Sequence, residues 1–300
     1  MSESELILSV IVPNYNHAQY LESRVSSILA QLTDNMELVI VDDGSTDNSV
    51  EILEKYASQD ARLKLIKSPK NAGVVSAANT AISASKGKYL VFFASDDIVL
   101  PNFFSKTLAV LKEHPEVPLC CSNFGYTTQD EPEIIKSFPL IKNIQHVTTF
   151  QGGQKTVKLF RDDPFGIPGH TTIVRRDSVL KKGGFIPEIG ASCDWYLLHA
   201  IALEEGFAYL PETLSVLRVL PNSYSAQISR NIIVRNEQYL NMFALLLKGK
   251  DKKLYKTFKE SRLLEPYIKH FSWKILIKKG YWGLFLYTKF SAVTRKVFGK

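Results

Sequence analysis

Short β-branched runs recur through the first hundred residues, at Ser9–Pro13, Glu37–Val41, Leu63–Ile66 and Tyr89–Phe93. A polar turn and a segment of helical period follow each run, so the pattern repeats roughly every 25–30 residues, the spacing of βα units. Leu21, Val25, Ile28, Leu29 and Leu32 mark one face of a first helix. Asn48 and Glu51 have the spacing of a capping box opening a second, whose apolar face is Ile52, Leu53 and Tyr56. The small-residue stretch Val75–Ala84 predicts a third helix, and Phe104, Leu108 and Leu111 stripe a fourth. Strands alternating with helices predict an α/β chain built on a doubly wound, mostly parallel sheet with helices on both faces.

From Val117 to Gln227 the pattern is less regular. Turn residues at Asp130–Pro132, Gly152–Gly153, Asp163–Gly169 and Gly183–Gly184 separate shorter runs such as Thr171–Val174 and Phe207–Leu210. This middle part reads as an α+β half whose loops contribute to a site. Beyond Ile228 strand alternation disappears and a C-terminal helical segment is expected.

Composition narrows the class. With 300 residues, 45% hydrophobic and 22% charged, the chain can bury a large core and is neither a disordered tail nor a fibre. Its three cysteines are therefore not needed as staples, and Cys120 and Cys121, being adjacent, point to opposite faces of a strand. A reduced, cytoplasmic chain is expected. The acidic start MSESE does not resemble a signal peptide, and no apolar run reaches the ~18–20 residues of a membrane span. The net charge of +7 is unevenly spread: residues 230–300 hold 17 Lys/Arg against 4 Asp/Glu, while residues 1–229 hold 20 against 26.

In open parallel sheets ligands bind beyond the carboxyl ends of the strands. Those positions are polar here: Pro13-Asn14-Tyr15-Asn16 after the first run, Asp42-Asp43-Gly44-Ser45 after the second, Ser95-Asp96-Asp97 after the fourth. An aromatic face, acceptors for a base or ribose and an adjacent carboxylate pair suit a nucleoside diphosphate with Mg²⁺ or Mn²⁺, hard cations that take oxygen ligands. Each part also has a plain structural reading. Asp43-Gly44 is a common turn, and either Asp96 or Asp97 could cap the helix beginning near Pro101. Against the cap, two like charges directly after a buried run repel each other, and a cation relieves that repulsion.

Seven segments carry a wider likeness: VIVPNYN (10–16), LVIVDDGSTDNS (38–49), NAGVVSAAN (71–79), GKYLVFFASDD (87–97), IVRRDSVLKKGGF (173–185), SCDWYLLHA (192–200) and LRVLPNSYS (217–225). In order and spacing they resemble the family 2 glycosyltransferases, inverting enzymes of GT-A fold that use nucleotide-diphosphate sugars. The resemblance spans about residues 7–228 and implies a catalytic domain over 1–228, with a nucleotide-binding half (1–115) and an acceptor-side half (116–228). A basic helical region (229–300) would follow.

Carried over by position, the resemblance puts Pro13 and Tyr15 in the base pocket, with Asp42 accepting from the uracil ring of a UDP-type donor and Asp43 supporting that loop. Asn71 and Gly73 would lie near the ribose and diphosphate, and Asn79 on the helix that follows. Asp96 would approach the ribose or sugar, with Asp97 holding a divalent metal (Mn²⁺ or Mg²⁺). Asp194 matches the family's general base, a carboxylate taking the proton of the acceptor hydroxyl. It could equally be a first-turn residue favoured by the helix dipole. This sequence departs from the family pattern at Ser95, where a first Asp is common, at Cys193, in the place of a second carboxylate, and at Leu220, in the place of a frequent His.

Arg176, or its neighbour Arg175, could hold the diphosphate, at most one facing the site, and His170 could flank the acceptor or simply be hydrogen-bonded in its loop. The implied activity is a metal-dependent, hexosyltransferase-type transfer to a glycan or lipid-linked acceptor in surface polysaccharide or glycolipid assembly. Nucleotidyl transfer and dinucleotide oxidoreduction would need a Gly-rich loop where PNYN stands. A non-catalytic sugar-nucleotide binder of the same fold is the remaining alternative. The tail, residues 248–300, interleaves cation clusters (Lys248, Lys250, Lys252, Lys253; Lys278, Lys279; Arg295, Lys296) with Trp273, Ile275–Ile277 and Tyr281–Tyr287. It reads either as a peripheral anchor on an anionic membrane face or as a helical subdomain with a solvated basic side; nucleic acid is not an expected partner.

Overall fold

The computed structural model describes residues 6–95, 97–128, 136–220, 223–248 and 252–268. The first four expected βα units form as β1 (Leu8–Asn14), α1 (Ala18–Leu29), β2 (Met36–Asp42), α2 (Ser49–Gln59), β3 (Leu63–Lys67), α3 (Val74–Ala84), β4 (Tyr89–Phe92), the short β5 (Ile98–Val99) and α4 (Phe103–Glu113). The second half adds β6 (Leu119–Thr127), β7 (Lys136–Phe138), β8 (Thr148–Gln151), α5 (Gln154–Asp162), β9 (Thr172–Arg175), α6 (Arg176–Lys181), α7 (Cys193–Glu205) and β10 (Gly206–Arg218). Two 3-10 turns, Gly169–Thr171 and Pro187–Ser192, precede β9 and α7.

All ten strands share one sheet, with β3-β2-β1-β4-β9-β6-β10-β5 as its main order. Pairing is parallel across β3-β2-β1-β4 and between β6 and β10, and antiparallel where β9 enters beside β4 and β6. The sheet is therefore mixed, with its parallel part at the amino-terminal half. Alternation decides which layer each strand residue feeds. Val10, Val12, Leu38 and Ile40 pack beneath α1, α2 and α4 with Leu21, Val25, Leu53 and Phe104, while Ile11, Val39 and Val41 pack with Ala78, Ile82, Leu197 and Ile201 on the other face. Cys120 joins the first cluster and Cys121 the second, as their adjacency predicts; all three cysteines are free and buried.

The expected capping box does not form. Asn48 occupies the N-cap of α2 but its side chain makes no capping bond. The carboxylate of Asp47 does the work instead, accepting from the Ser49 amide (3.0 Å) and from the Ala18 amide at the start of α1 (3.0 Å). One side chain thus satisfies an orphan donor of each helix and ties their N-termini together.

The C-terminal region is packed onto the rest. α8 (Tyr224–Arg230) straddles the boundary expected at 228, and α9 (Ile232–Lys248), α10 (Lys252–Glu260) and α11 (Glu265–Ile268) follow. Met242, Phe243, Leu246, Leu254, Phe258 and Ile268 belong to the same buried cluster as Leu197 and Ile201 of α7. Phe258 stacks on Tyr196 with ring centroids 5.8 Å apart, Gln238 accepts from the Ala191 amide, and Asn241 donates to the Glu188 carbonyl. The described helices of this region thus pack on the rest of the chain, as in the second reading of the tail. The cation and aromatic clusters from residue 269 onward, and the Asp130–Pro132 turn, lie outside the described residues. No helix among the described residues is long and apolar enough to cross a membrane.

Candidate active site

Asn14 and Asp42 end neighbouring parallel strands in register, which brings their side chains together. Asn14 Nδ2 donates to Asp42 Oδ2 (2.8 Å), and Ser45 closes the turn with its amide on Oδ1 (2.9 Å) and its hydroxyl on Oδ2 (2.6 Å). Asp42 is 1% exposed. Its carboxylate is largely occupied by the loop it organises, leaving Oδ1, with one bond, as the oxygen for the expected base contact. Asn16 adopts a positive φ of 53° and accepts from the Thr46 amide (2.7 Å). With Asn14 buried and Asn16 pinned, Tyr15 between them is displayed at 41% exposure, next to Pro13 at the strand end.

Asp43 carries out its supporting role on a different loop from the one expected. Its carboxylate accepts from the Ala72 amide and from the Gly73 amide (2.7 Å), holding the 71–73 turn against the end of β2. Asn71 Oδ1 also accepts from Gly73, at 3.0 Å. Gly44 makes this approach possible: it sits at φ +74°, and a Cβ there would lie 2.8 Å from the Asn71 nitrogen. Asn79 faces another task. Its amide donates to the Phe185 carbonyl (2.7 Å) and accepts from the Phe185 amide (2.9 Å), so both its polar atoms clamp α3 to the acceptor-side half.

Asp97 is 6% exposed. Its Oδ2 accepts from the Ala94 amide (3.1 Å), while Oδ1 is buried with no hydrogen-bond partner. Burial pushes its carboxyl up to about 6, against the opposing pull of Arg24, the Ala94 amide and Arg218. Both guanidiniums are buried and lie over aromatic rings, Arg24 on Phe93 (5.4 Å) and Arg218 on Tyr20 (5.1 Å). Sequence reading missed Arg24, because a cation on the apolar stripe of α1 carries no signal of the carboxylate it faces. Asp96 lies outside the described residues.

Asp194 opens α7, where its Oδ1 accepts from the Trp195 amide (2.7 Å). Gly169 lies so close that a Cβ on it would be 3.1 Å from Asp194 Oδ2, which brings His170 beside the carboxylate. Burial raises the Asp194 carboxyl above its ordinary range. The Trp195 amide and His170 oppose that rise, and the charge of Asp97 adds to it. The two carboxylates, ninety-seven residues apart in sequence, thus lie close enough for their charges to interact. Tyr267 of α11 meets Trp195 at 4.8 Å between ring centroids and feels the Asp194 charge, so the C-terminal region reaches this corner.

Arg176 is not brought there. Because β9 runs antiparallel to β4, its first residues and the Gly169–Thr171 turn lie at the site edge, whereas Arg175 pairs opposite Tyr89 at the far edge. Arg175 donates to the Pro115 carbonyl and Arg176 to Ser85 Oγ, both in structural positions. The assignment of Arg176 to the diphosphate is corrected accordingly.

No group of three metal-ligating side chains occurs among the described residues. Mg²⁺ and Mn²⁺ sites on nucleotides commonly take one or two carboxylates and complete their shell with phosphate and water. The unpartnered Oδ1 of Asp97 fits that donor set.

The profile of glycosyl transferase family 2 matches residues 9–183. This chain belongs to that family. Among its relatives, a Haemophilus influenzae glycosyltransferase is 35% identical over 150 residues, covering 49% of this chain and 58% of its own. GlyG of Streptococcus pneumoniae is 39% identical over 127 residues, 42% of each chain. The chain thus spans about half the length of these relatives. TuaG of Bacillus subtilis, named for teichuronic acid biosynthesis, is 30% identical over 194 residues, 61% of this chain and 75% of its own. The fold is that of Staphylococcus aureus TarS with UDP-GlcNAc (TM-score 0.67, 19% identity, 89% of this chain and 73% of that one). It is also that of the Pyrobaculum calidifontis mannosyltransferase PcManGT with GDP-Man and Mn²⁺ (TM-score 0.58, 18% identity, 97% and 87%).

Proposed function

We propose that this family 2 glycosyltransferase transfers a sugar, with inversion, from a nucleotide-diphosphate donor of UDP type to an acceptor hydroxyl. The observation that carries the reading is that the ends of β1, β2 and β4 adjoin, joined by Asn14 on Asp42 and His17 on Ser95, with Asp97 close enough to Asp194 for their charges to interact. Tyr15 offers a face to the base, and the amides and carboxylate of the 42–45 turn orient base and ribose. Asp97, through Oδ1, would hold a divalent cation at the donor's diphosphate, where the ion's charge would stabilise the leaving group. Asp194 accepts the proton of the acceptor hydroxyl. The oxygen then bonds to the anomeric carbon, and the carbon–oxygen bond to the diphosphate breaks, its electron pair leaving with the nucleotide. A carboxylate raised toward neutrality is a stronger base for this step than an exposed one. TarS and PcManGT, which carry nucleotide sugars in their structures, and TuaG, by its name, support a donor of this class and an acceptor in surface polysaccharide or glycolipid assembly.

A panel of UDP-, GDP- and dTDP-sugars tests the donor assignment, with nucleoside diphosphate release followed in Mn²⁺ or Mg²⁺. One UDP-sugar is expected to be turned over, and Asp97→Ala to lose both release and metal-dependent nucleotide binding. Metal-dependent nucleotide binding retained by Asp97→Ala at the wild-type level would remove the metal role.

A further inference from the structure

Nine large hydrophobic side chains are exposed among the described residues, and five of them lie in one stretch. Leu217, Val219, Tyr224, Ile232 and Ile233 fall within seventeen residues, and Ile232 and Ile233 are 60% and 80% exposed. Leaving two adjacent isoleucines open to water at a helix start is unfavourable unless something covers them. Their place is specific. Leu217 and Val219 flank Arg218, the buried cation that faces Asp97, at the carboxyl end of β10. α8 and the start of α9 continue from there, and Tyr224 begins α8. α8 and α9 also pack on the Pro187–Ser192 turn that leads to Asp194, with Gln238 of α9 accepting from the Ala191 amide, so the stretch borders the candidate site.

Charge indicates what covers it. Residues 213–236 contain Arg218, Arg230 and Arg235 and not one Asp or Glu, in a chain with 30 acids. The stretch leads into a region where residues 230–300 hold 17 cations against 4 acids. An acid-free apolar rim followed by a strongly basic segment complements anionic lipid, where apolar side chains enter the acyl boundary and cations sit at the phosphates. A second copy of this chain would instead bring basic regions together, with repulsion. We infer that the rim formed by Val219, Tyr224, Ile232 and Ile233 docks on an anionic membrane surface, so that the crevice opens toward the bilayer and takes its acceptor from the lipid plane. The inference deepens the glycosyltransferase reading by naming where the acceptor comes from, but it does not depend on the role of Asp194.

The test is sedimentation of the full chain with phosphatidylcholine vesicles and with vesicles containing about 30% phosphatidylglycerol, at low and high salt. It compares the wild type with the double variant Ile232→Asp/Ile233→Asp. Wild type should bind the anionic vesicles, weaken with salt, and lose at least tenfold in affinity in the double variant, whose melting temperature and donor hydrolysis in solution stay unchanged. Undiminished vesicle binding by the double variant would show that the segment beyond residue 268 anchors alone, and would overturn the proposal. No binding by wild type would do the same. A wild-type dimer that the double variant converts to monomer would assign the patch to a second copy and would equally overturn it.

Discussion

At the scale of single residues, the structure separates carboxylates and imidazoles that the sequence presents alike. His199, inside SCDWYLLHA, is fully buried; its Nδ1 meets the Trp195 carbonyl at 2.7 Å and its Nε2 accepts from the Ile167 amide at 3.2 Å. Burial lowers its pKa to about 4 from an ordinary 6.5. As pH falls from about 6.5 to 4 the unfolded chain takes up a proton that the folded chain refuses, and up to about 3 kcal/mol of stability is lost. Asp97, raised from 3.8 to about 6, acts in the opposite sense. Between about pH 6 and 4 the folded state binds its proton first and gains stability. Urea unfolding at pH 7 and pH 5 should therefore show His199→Gln losing less than wild type on acidification and Asp97→Asn losing more; unchanged slopes in both would contradict the assignments. The sequence offered Asp97 and Asp194 as candidate site residues, because position after a strand or at a helix start is legible. It could not show the surroundings that set their protonation, since Arg24, Arg218, Tyr267 and His170 come from four other elements.

At the scale of elements, two small connections hold the nucleotide edge together. Asp47 caps α1 and α2 at once, and although burial pushes its carboxyl up, hydrogen bonds at Ser49 and Ala18 outweigh that and leave it below its ordinary range. The capping bonds contribute above the unfolded pKa and are lost as pH falls through the lower folded one. Since the side chain is exposed, Asp47→Ala should cost only about 0.5–1 kcal/mol in urea unfolding, and less at pH 3 than at pH 7. Gly44 carries more. Its positive φ and the backbone of Lys70 and Asn71 at under 3 Å leave no room for a methyl group. Gly44→Ala should destabilise by about 1–3 kcal/mol and weaken nucleotide binding, measured by calorimetry, by pushing the 71–73 turn off Asp43. Periodicity showed β1 to β4 and α1 to α4 because each strand is covered on both faces and each helix on one. It did not show that β9 runs antiparallel: a four-residue run carries no direction, and that reversal put Arg176 at the wrong edge.

At the scale of the whole molecule, the catalytic body and the C-terminal helices share one core. Phe258, fully buried, packs on Trp195 and Tyr196, the residues directly after Asp194. Phe258→Ala should cost about 3–5 kcal/mol within a single cooperative transition and reduce turnover; two separate transitions in wild type would show independent domains. Composition alone left a membrane anchor and a packed helical subdomain equally open, because a count of cations does not show where the apolar side chains of α9 and α10, such as Met242, Phe243, Leu246 and Leu254, are buried. The fold brings Asp194, at the start of α7, close enough to Asp97 for their charges to interact, which is what the proposed mechanism needs. The most direct test compares wild type with Asp194→Asn on the donor identified by screening, measuring kcat for sugar transfer beside nucleotide affinity by calorimetry. The account predicts a fall in kcat of about 10²–10⁴-fold with nucleotide affinity changed less than about threefold. Transfer at near wild-type rate by Asp194→Asn would contradict it.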